Sequence, residues 1–309
     1  MKKELNKTLK QVKQILGDVP FWLSGGQVLG AIRDKGFLHN EHDIDLGIFE
    51  EDLDRTIKML KKKFKRVETN NGNIDGVALR LIDGTDMVRV IKFKLNGIGV
   101  DIFVYILKNN RRYAITKDPH IGHAWHSFPR DIFENLETVK LYGTTYKIPE
   151  SKTYLKCEYG NWKKKVKHWN CCIDPPCIAK KVYLGGVFDL FHVGHLNLLK
   201  NAREYGEILY ASVLTDEAAE IYKRKTITPY NQRVKIIKEF ADVVLPQENV
   251  DECRGGLIEE INPDVIVHGD DKLPHSYSWA LLNHKKVIML PYTKDVSTTQ
   301  IINKIKSEG

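Results

Sequence analysis

Three aspartates lie where buried strands are expected, and they are the first sign of chemistry in this sequence. Asp43 and Asp45 alternate with Ile44 in the segment DIDLGIF, and Asp101 follows Val100 in the apolar segment VDIFVYI. Side chains two residues apart in a strand share a face, so Asp43 and Asp45 place two like charges together, which calls for a counter-ion. A further carboxylate inside an apolar strand is costly unless it is paired. The three carboxylates predict a Mg²⁺ or Mn²⁺ site, because oxygen ligands suit these hard cations.

Two glycines stand ahead of this pair, where a helix is predicted from about residue 26 to 35. Gly25 and Gly26 follow Ser24. Glycine lets the backbone approach a phosphate closely, and a helix N-terminus favours negative charge. Taken one at a time, Asp43 could be a cap, Asp45 a surface residue and the glycines a turn. Taken together, they favour a metal-dependent phosphate site.

Two histidines form a second candidate site in the segment GGVFDLFHVGH. His192 and His195 follow a predicted strand and begin a predicted helix, which is where α/β sheets bind ligands and phosphates. Imidazoles there can donate hydrogen bonds to a phosphate as charge builds up, and Gly194 leaves space for the phosphate against the backbone. The alternative is a zinc pair, but a third ligand is missing nearby and a glycine lies inside the motif.

The elements that must position these groups fall into two halves of the 309-residue chain. The first half mixes helices and strands, which predicts an α+β domain. A stretch rich in Trp, Lys, Cys and Pro, about 149–180, separates the halves, so we predict domains at 1–175 and 180–309. In the second half strands and helices alternate, which predicts a doubly wound parallel sheet. The predicted strands are 182–188, 208–214, 243–245, 265–268 and 287–290, and the helices 195–205, 230–239, 255–261 and 298–306.

Composition narrows the class of protein. The formal net charge of +8 is spread over lysine-rich helix faces, which suits anionic partners such as nucleotides and phosphorylated substrates as well as nucleic acid. No run approaches the 18 or so apolar residues of a membrane span, and the start MKKELNKTLKQVKQIL has charges where a signal peptide is apolar. We therefore expect a cytoplasmic enzyme without a membrane span.

Cysteines crowd the predicted boundary. Cys157, Cys171, Cys172 and Cys177 lie there with His168, and thiol and imidazole groups are zinc ligands. Their spacing fits no strong zinc pattern, so buried reduced thiols are the preferred interpretation and a structural zinc the alternative. We assign no metal ligand in this stretch.

The first half resembles the LicD/fukutin family of the polymerase-β-like nucleotidyltransferase superfamily. The resemblance lies in WLSGGQVLGAIRDKGFLHNEHDIDLGI and in YLKCEYGNWKKKVKHW, and it spans about residues 20–175. It implies transfer of a phospho-alcohol group from a CDP-linked donor to a glycan hydroxyl, with CMP leaving. On this basis Asp43, Asp45 and Asp101 are metal and catalytic carboxylates, Gly25 and Gly26 a phosphate loop, and Arg33 a phosphate partner. The family usually has Pro-Trp-Asp-Asp where this chain has residues 39–42, HNEH.

The second half resembles the His-x-Gly-His cytidylyltransferases, which use glycerol 3-phosphate, phosphocholine or phosphoethanolamine. The resemblance covers about residues 181–306 and includes GVFDLFHVGH, LTDE, HGDD and VSTTQII. It implies attack by a substrate phosphate oxygen on the α-phosphorus of CTP, with Mg²⁺ on the triphosphate and pyrophosphate as leaving group. It makes His192, His195 and Lys225 catalytic. The implied nucleotide and phosphate contacts are Gly186, Phe188, Asp189, Gly194, Lys223, Asp270, Asp271, Ser297, Thr298 and Thr299.

Two positions depart from the cytidylyltransferase pattern. Tyr292 begins the segment where many members have Arg-Thr-x-Gly, and Val187 replaces a frequent threonine. The first change would weaken CTP binding unless Lys294 substitutes for the arginine. The second would shift the choice of substrate.

Together the two resemblances imply a bifunctional enzyme. Its partners would be CTP, a small phosphomonoester, a CDP-linked donor and a glycan acceptor, with no nucleic acid expected; similar cytidylyltransferases often form homodimers. Two alternatives stay open. The first half could be a nucleotidyltransferase acting on another acceptor, or one half could be inactive and serve binding only. The alcohol and the glycan are not named by the sequence.

Overall fold

The structure is a computed structural model and describes residues 1–69, 76–82, 85–118, 122–249, 257–269, 278–283 and 285–308. These residues form two compact units, the first built from Met1–Asp118 and His123–Ile178 and the second mainly from the chain after Ala179. Among the helices described, none is both long and apolar enough to cross a membrane.

The first unit is a mixed α+β structure. Its helices are α1 (Lys2–Leu16), α2 (Gly25–Leu29, continued by a π-helical turn at Gly30–Asp34), α3 (Leu53–Lys63) and α4 (Ser151–Tyr159). Its strands are β1 (Trp22–Leu23), β2 (Asp43–Phe49), β3 (Val67–Thr69), β4 (Val77–Leu81), β5 (Val88–Leu95), β6 (Ile98–Lys108), β7 (Arg111–Asp118), β8 (Gly122–Pro129), β9 (Glu137–Leu141) and β10 (Thr144–Ile148).

One sheet carries the candidate carboxylates of this unit. Its order is β1-β2-β6-β5-β4-β3, with β7 pairing to β6 and β8, while β9 and β10 form a separate hairpin. Strand β2 runs parallel to β6 and β5 runs antiparallel to it. The apolar face of α1 covers part of the core through Leu5, Leu9, Val12 and Leu16, which recur at helical spacing and are fully buried. That this arrangement belongs to the polymerase-β type stays a prediction.

The second unit alternates strands and helices. Its strands are β11 (Lys181–Gly186), β12 (Ile208–Leu214), β13 (Val243–Gln247), β14 (Val265–Gly269) and β15 (Lys286–Leu290). Its helices are α5 (Val193–Ala202), α6 (Asp216–Tyr222), α7 (Tyr230–Ile237), α8 (Leu257–Ile261), α9 (Ser278–Leu282) and α10 (Thr298–Glu308).

The predicted parallel sheet of this unit is confirmed. The five strands pair in the order β13-β12-β11-β14-β15, and every pair is parallel. All seven residues of β12 are buried, as expected for a central strand covered on both faces. The chain moves outward in one direction from β11 to β13 and then returns to the other side of β11 with β14. This change of direction makes a crevice at the carboxyl ends of β11 and β14, where such sheets bind ligands.

Candidate functional site

The predicted carboxylates of the first unit meet through strand register. Asp45 on β2 is the parallel partner of Asp101 on β6. Asp101 is also the antiparallel partner of Lys92 on β5, and the Lys92 ammonium forms an ion pair with the Asp101 carboxylate. Asp43 lies two residues before Asp45 and is exposed. The sheet therefore brings Asp45 and Asp101 side by side and supplies Asp101 with a cation of its own.

A fourth carboxylate, Glu41, was not predicted from the sequence. One carboxylate oxygen each from Glu41, Asp43 and Asp45 lie within 4.8 Å of one another. The Gln27 side chain donates to Glu41 Oε1 at 2.6 Å and to the Asp43 carbonyl at 3.0 Å, and accepts from the Asp45 N–H at 2.8 Å. The buried Glu41 Oε2 atom has no hydrogen-bond partner in the described part of the chain. Gln27 thus holds three acidic residues in one group and leaves one oxygen uncompensated.

Burial and mutual repulsion disfavour the charged forms of these acids. Burial, followed by the charge of Asp43, raises the pKa of Glu41 to about 7. Burial also raises the pKa of Asp45 well above its ordinary value, with further contributions from Asp43 and Asp101. The pKa of Asp101 is raised by burial, and Lys92 opposes that rise. A divalent cation would reverse this balance, because it favours every ionised carboxylate around it.

The glycine pair lies directly against the acidic group. Gly25 has a φ of +53°, and a side chain there would meet Asp45 Oδ2 at 3.4 Å. A side chain at Gly26 would lie 2.9 Å from Glu41 Oε2. Gly25 also adopts the left-handed region that glycine tolerates best. Glycine is therefore favoured at Gly25 by the backbone conformation and at Gly26 by the close approach to Glu41.

Two tyrosines of α4 join the glycine loop. The Tyr154 hydroxyl accepts the Gly25 N–H at 2.9 Å and lies 3.1 Å from Ser24 Oγ. The Tyr159 hydroxyl would lie 4.0 Å from a Cβ atom at Gly25. These tyrosines belong to the YLKCEYGNW segment, so the two separate parts of the first resemblance meet at one place. The resemblance to the LicD/fukutin family included this segment, but nothing in the sequence assigned its tyrosines to the site.

Arg33, the predicted phosphate partner, is engaged elsewhere. Its Nε and Nη2 atoms donate to the two Asp34 carboxylate oxygens at 2.9 and 3.0 Å, and Nη1 donates to the Trp162 carbonyl at 3.4 Å. A fork-to-carboxylate pair of this kind is a strong, directional contact. Arg33 would have to leave Asp34 in order to bind a phosphate.

The second unit has a cavity of about 220 Å³ at the carboxyl ends of its central strands. The predicted residues on its lining are Gly186, Phe188, Asp189, His195, Lys223, Thr298 and Thr299. Predicted residues that do not line it are His192, Gly194, Lys225 and Ser297. Asp270 and Asp271 lie outside the described residues.

The two histidines form a stacked pair at the start of α5. Their ring centroids lie 3.9 Å apart. His192 Nδ1 accepts the Gly194 N–H at 3.1 Å, and His195 Nδ1 accepts the His192 N–H at 3.4 Å. A side chain at Gly194 would lie 2.9 Å from the His192 ring, so glycine is needed here for close approach. Because each Nδ1 accepts a hydrogen bond, each neutral ring carries its proton on Nε2 and can donate it to a ligand.

Burial keeps this pair neutral. It lowers the pKa of His192, and it lowers the pKa of His195 to about 4 with a further contribution from the charge of His192. The Phe188 ring packs edge-on against His195 with centroids 5.5 Å apart. His195 therefore lines the cavity as a neutral hydrogen-bond donor.

Asp189 organises the loop beside the histidines. Its carboxylate accepts from Arg224 Nη1 at 2.9 Å and from the N–H groups of Ile227 and Thr228 at 3.1 and 2.8 Å. Burial raises the pKa of Asp189, but these hydrogen bonds outweigh burial and leave its pKa below the ordinary value. Its oxygens are thus committed to the 224–228 loop, which places Asp189 in support of the cavity wall.

Of the other predicted cationic and hydroxyl groups, some line the cavity and others hold the structure around it. The exposed Lys223 reaches the cavity lining and Lys225 does not. Ser297 Oγ accepts the Gln300 N–H at 3.2 Å and so caps α10, while Thr298 Oγ1 donates to the Asp189 carbonyl at 3.1 Å. Tyr292 lines the cavity close to Gly269. In the sequence this position was notable only because many cytidylyltransferases have an arginine there.

Comparisons with known proteins match each half separately. Residues 18–151 match the family model described as LicD/FKTN/FKRP, nucleotidyltransferase domain, and residues 183–304 match the model described as Cytidylyltransferase-like. The bifunctional protein HldE of Yersinia pestis (strain Pestoides F) is 36% identical over 137 residues, which cover 41% of this chain and 28% of HldE. HldE of Yersinia pseudotuberculosis (strain YPIII) matches to the same extent. The match thus spans little more than a quarter of these curated relatives.

Solved structures also align with part of the chain. A lipopolysaccharide core biosynthesis protein from Thermoplasma volcanium is 26% identical with a TM-score of 0.33, covering 38% of this chain and 99% of that one. Pantothenate synthetase from Thermus thermophilus is 15% identical with a TM-score of 0.28, covering 40% of this chain and 61% of that one.

Proposed function

We propose that this chain, in which a LicD-type domain precedes a cytidylyltransferase-like domain, makes a CDP-alcohol in its second half and uses it in its first half. In the first reaction a phosphate oxygen of a small phosphomonoester bonds to the α-phosphorus of CTP, and pyrophosphate leaves. In the second, a glycan hydroxyl loses its proton and bonds to the alcohol-bearing phosphorus of the CDP-alcohol, and CMP leaves.

In the second half, the stacked histidines supply the main interaction with the reacting phosphate. His195 lines the cavity, and the neutral ring can donate its Nε2–H to an oxygen that gains charge as the new bond forms. Phosphoryl-type transfer depends mostly on such positioning and charge stabilisation. Lys223 on the lining adds a positive charge for the triphosphate. Asp189 holds the loop that carries this part of the wall.

In the first half, Glu41, Asp43 and Asp45 would hold a Mg²⁺ or Mn²⁺ ion. The donor set consists of carboxylate oxygens, as these cations prefer, and Glu41 Oε2 is a buried oxygen that lacks a partner in the described residues. A bound cation would neutralise phosphate charge on the donor. The Gly25–Gly26 loop leaves the backbone open to the donor phosphates, while Lys92 keeps Asp101 paired beside the group.

The observation that supports the proposal is that one chain holds two groups of side chains, of different chemistry, that are suited to binding phosphate. A group of carboxylates lies in one compact unit, and in the other His195, which stacks on His192, lines a cavity at the mouth of a parallel sheet. The two family matches fall on the same two units.

The first test identifies the alcohol. The protein is incubated with CTP, Mg²⁺ and a panel of phosphomonoesters that includes glycerol, ribitol, choline and ethanolamine phosphates, and mass spectrometry is used to find the CDP adduct. One adduct with stoichiometric pyrophosphate is expected. Absence of any cytidylylated product across a wide panel would contradict the assignment of the second half.

The second test separates the two sites. Asp43→Asn should abolish glycan modification and leave CDP-alcohol formation unchanged, because it removes a carboxylate from the first unit alone. His195→Ala should abolish CDP-alcohol formation and leave transfer from a supplied CDP-alcohol unchanged. Equal loss of both activities in either variant would contradict the two-site proposal.

A further inference from the structure

A cluster of thiol, imidazole and carboxylate groups lies in the first unit and takes no part in the proposed reactions. Glu158 is on α4, His126 is on β8, and Cys171, Cys172 and Cys177 lie in the segment after α4. The four cysteines of residues 157–177 are free thiols. The sequence alone favoured reduced thiols here, because their spacing along the chain fits no strong zinc pattern. The structure adds ligands that are distant in sequence.

Three potential ligand atoms converge in this cluster. One ligand atom each from His126, Glu158 and Cys177 lie within 4.8 Å of one another. His126 Nδ1 is 2.8 Å from Glu158 Oε2, and Cys177 Sγ donates to the same oxygen at 3.6 Å. Neighbouring ligand atoms around a tetrahedral zinc ion lie roughly 3.3–3.6 Å apart, as follows from its bond lengths. To accept zinc, the distance between His126 Nδ1 and Glu158 Oε2 would have to increase by about half an ångström, whereas the distance between Cys177 Sγ and Glu158 Oε2 already fits.

The other nitrogen of His126 has the partner that a metal-binding histidine requires. His126 Nε2 lies 3.0 Å from Thr116 Oγ1, which in turn lies 3.2 Å from Cys172 Sγ. Histidines that bind a metal through one ring nitrogen almost always donate the other N–H to an acceptor, which fixes the tautomer and the ring orientation. The Thr116 hydroxyl can fill this role when Nδ1 exchanges its hydrogen bond with Glu158 for a bond to a metal.

The backbone around the cluster is also held in place. His126 is only 1% exposed. The Ser127 N–H donates to the Cys177 carbonyl at 2.8 Å, and His126 forms an antiparallel bridge with Ile178. The ligand atoms thus come from a strand, a helix and a segment that is hydrogen-bonded to the strand. Such a preformed frame lowers the cost of ordering ligands when a metal binds.

We propose that His126 Nδ1, Glu158 Oε2 and Cys177 Sγ bind one Zn²⁺ ion, with solvent in the fourth position. Thiolate and imidazole ligands select zinc, whereas the carboxylate group of Glu41, Asp43 and Asp45 suits Mg²⁺. On binding, the Cys177 thiol loses its proton to solvent, and the proton between His126 Nδ1 and Glu158 leaves Nδ1 while Nε2 takes up a proton, which it donates to Thr116 Oγ1. The metal bonds then replace the hydrogen bonds that join the three groups. The two sites of this unit therefore hold different metals.

The zinc ion would stabilise the part of the chain that carries the phosphate-loop tyrosines. Glu158 and Tyr154 share α4, and the Tyr154 hydroxyl holds the Gly25 N–H. Zinc would tie this helix to β8 and to the segment that ends at Cys177. We expect metal removal to lower the melting temperature of the first unit.

The test uses the full chain purified without metal-affinity resin. Elemental analysis should find about one zinc per chain, and Co²⁺ exchanged into the protein should give a near-ultraviolet thiolate-to-cobalt charge-transfer band. The band reports sulfur ligation, so cobalt at the carboxylate group cannot produce it. Absence of both zinc and the cobalt band would overturn the proposal and leave a hydrogen-bonded cluster.

Variants of the cluster identify the ligands. Cys177→Ser and Glu158→Gln should lose the zinc, whereas the matched control Cys171→Ser, at an exposed thiol outside the three ligands, should keep it. Thr116→Val should weaken zinc binding by about tenfold through the loss of the His126 contact. Circular dichroism verifies folding, and Glu158→Gln decides the matter if Cys177→Ser does not fold. Equal zinc loss in Cys171→Ser and Cys177→Ser would overturn the proposed ligand set.

Discussion

At the scale of single residues, the stacked histidines show how backbone contacts set a side chain's chemistry. The N–H groups of Gly194 and His192 occupy the Nδ1 atoms of His192 and His195. This leaves the Nε2–H groups for a ligand, and burial keeps the rings uncharged. A neutral ring with its proton on Nε2 can donate a hydrogen bond to a triphosphate, and the pKa of each ring rises once the anion is bound.

The lowered pKa of His195 predicts a pH effect on stability. The pKa of His195 in the folded protein is about 4, below the ordinary value of 6.5, so the unfolded chain binds more protons between these values. The stabilising contribution of the neutral ring is therefore present above pH 6.5 and is lost as the pH falls toward 4. An NMR titration of the His195 ring should show it still neutral at pH 5.5, where an exposed histidine is charged.

Its control is His168→Asn, which removes an exposed histidine. This variant should keep the wild-type pH dependence of the free energy of unfolding, whereas His195→Asn should make that dependence shallower between pH 4 and 6.5. A His195 ring that titrates near 6.5 would contradict the prediction.

The sequence predicted site residues that a pattern within one strand marks. It did not predict residues whose role depends on contacts between distant segments. Alternation in DIDLGIF indicated the Asp43 and Asp45 pair. Glu41 continues the same two-residue spacing, but it precedes the strand and was not assigned to the site. Its role depends on Gln27, which reaches it across the fold at 2.6 Å. For Asp189 the sequence predicted a contact that the structure does not show directly. Its place in the motif suggested a nucleotide contact, whereas its carboxylate oxygens accept hydrogen bonds from Arg224 and from the backbone N–H groups of residues 227 and 228.

At the scale of elements, α7 secures the cavity wall through Arg233. This side chain is fully buried. Its Nη1 donates to the Val187 and Leu214 carbonyls at 2.6 and 2.7 Å, and its Nε donates to the Thr228 carbonyl at 2.9 Å. Nη2 pairs with Asp216 at 2.6 Å. One guanidinium thus joins the ends of β11 and β12 to the loop held by Asp189.

Replacing Arg233 should destabilise the second unit. Arg233→Met keeps much of the side-chain volume but leaves the three carbonyls without their donor, which should cost roughly 3 kcal/mol or more. Urea unfolding measures the loss, and CDP-alcohol formation should fall with it. Lys235→Ala, at an exposed position of the same helix, should change the free energy of unfolding by less than about 0.5 kcal/mol. Equal stability of Arg233→Met and wild type would contradict this role.

Helices and strands with a clear hydrophobic pattern in the sequence were predicted, and those without one were missed. The apolar runs of β11 and β12 and the helices between them indicated a parallel sheet, which the structure confirms. Strands β7 and β8 were not predicted, and β8 shows why. All but the last of its residues are buried, yet they include His123, His126 and Ser127, so buried polar groups break the apolar run that marks a strand.

At the scale of the whole molecule, the proposed function assigns two phosphorus-transfer steps to two separate compact units. The product of the proposed first step is the substrate of the second. In the proposal each site neutralises phosphate with its own groups, carboxylates with a bound cation in the first unit and imidazoles with Lys223 in the second. Because both units belong to one chain, the two proposed activities are present in equal amounts. This linkage does not by itself pass the intermediate from one site to the other.

This independence predicts complementation between full-length variants. A mixture of Asp43→Asn and His195→Ala chains should modify the glycan from CTP and the phosphomonoester, because the CDP-alcohol made on one chain can diffuse to another. A small molecule escapes within microseconds, whereas typical enzyme turnover takes about 0.1 s. The mixture should therefore show the same lag and final rate as wild type at equal concentrations of each active site, when CMP release is followed over time.

Two controls fix the interpretation of the mixture. Each variant alone should release no CMP from CTP, and addition of the CDP-alcohol should restore transfer to the His195→Ala chain without any lag. Wild type that shows no lag, beside a mixture that lags, would mean that the intermediate is retained between the sites. The dependence of that difference on protein concentration would then measure the effective concentration that the linkage creates.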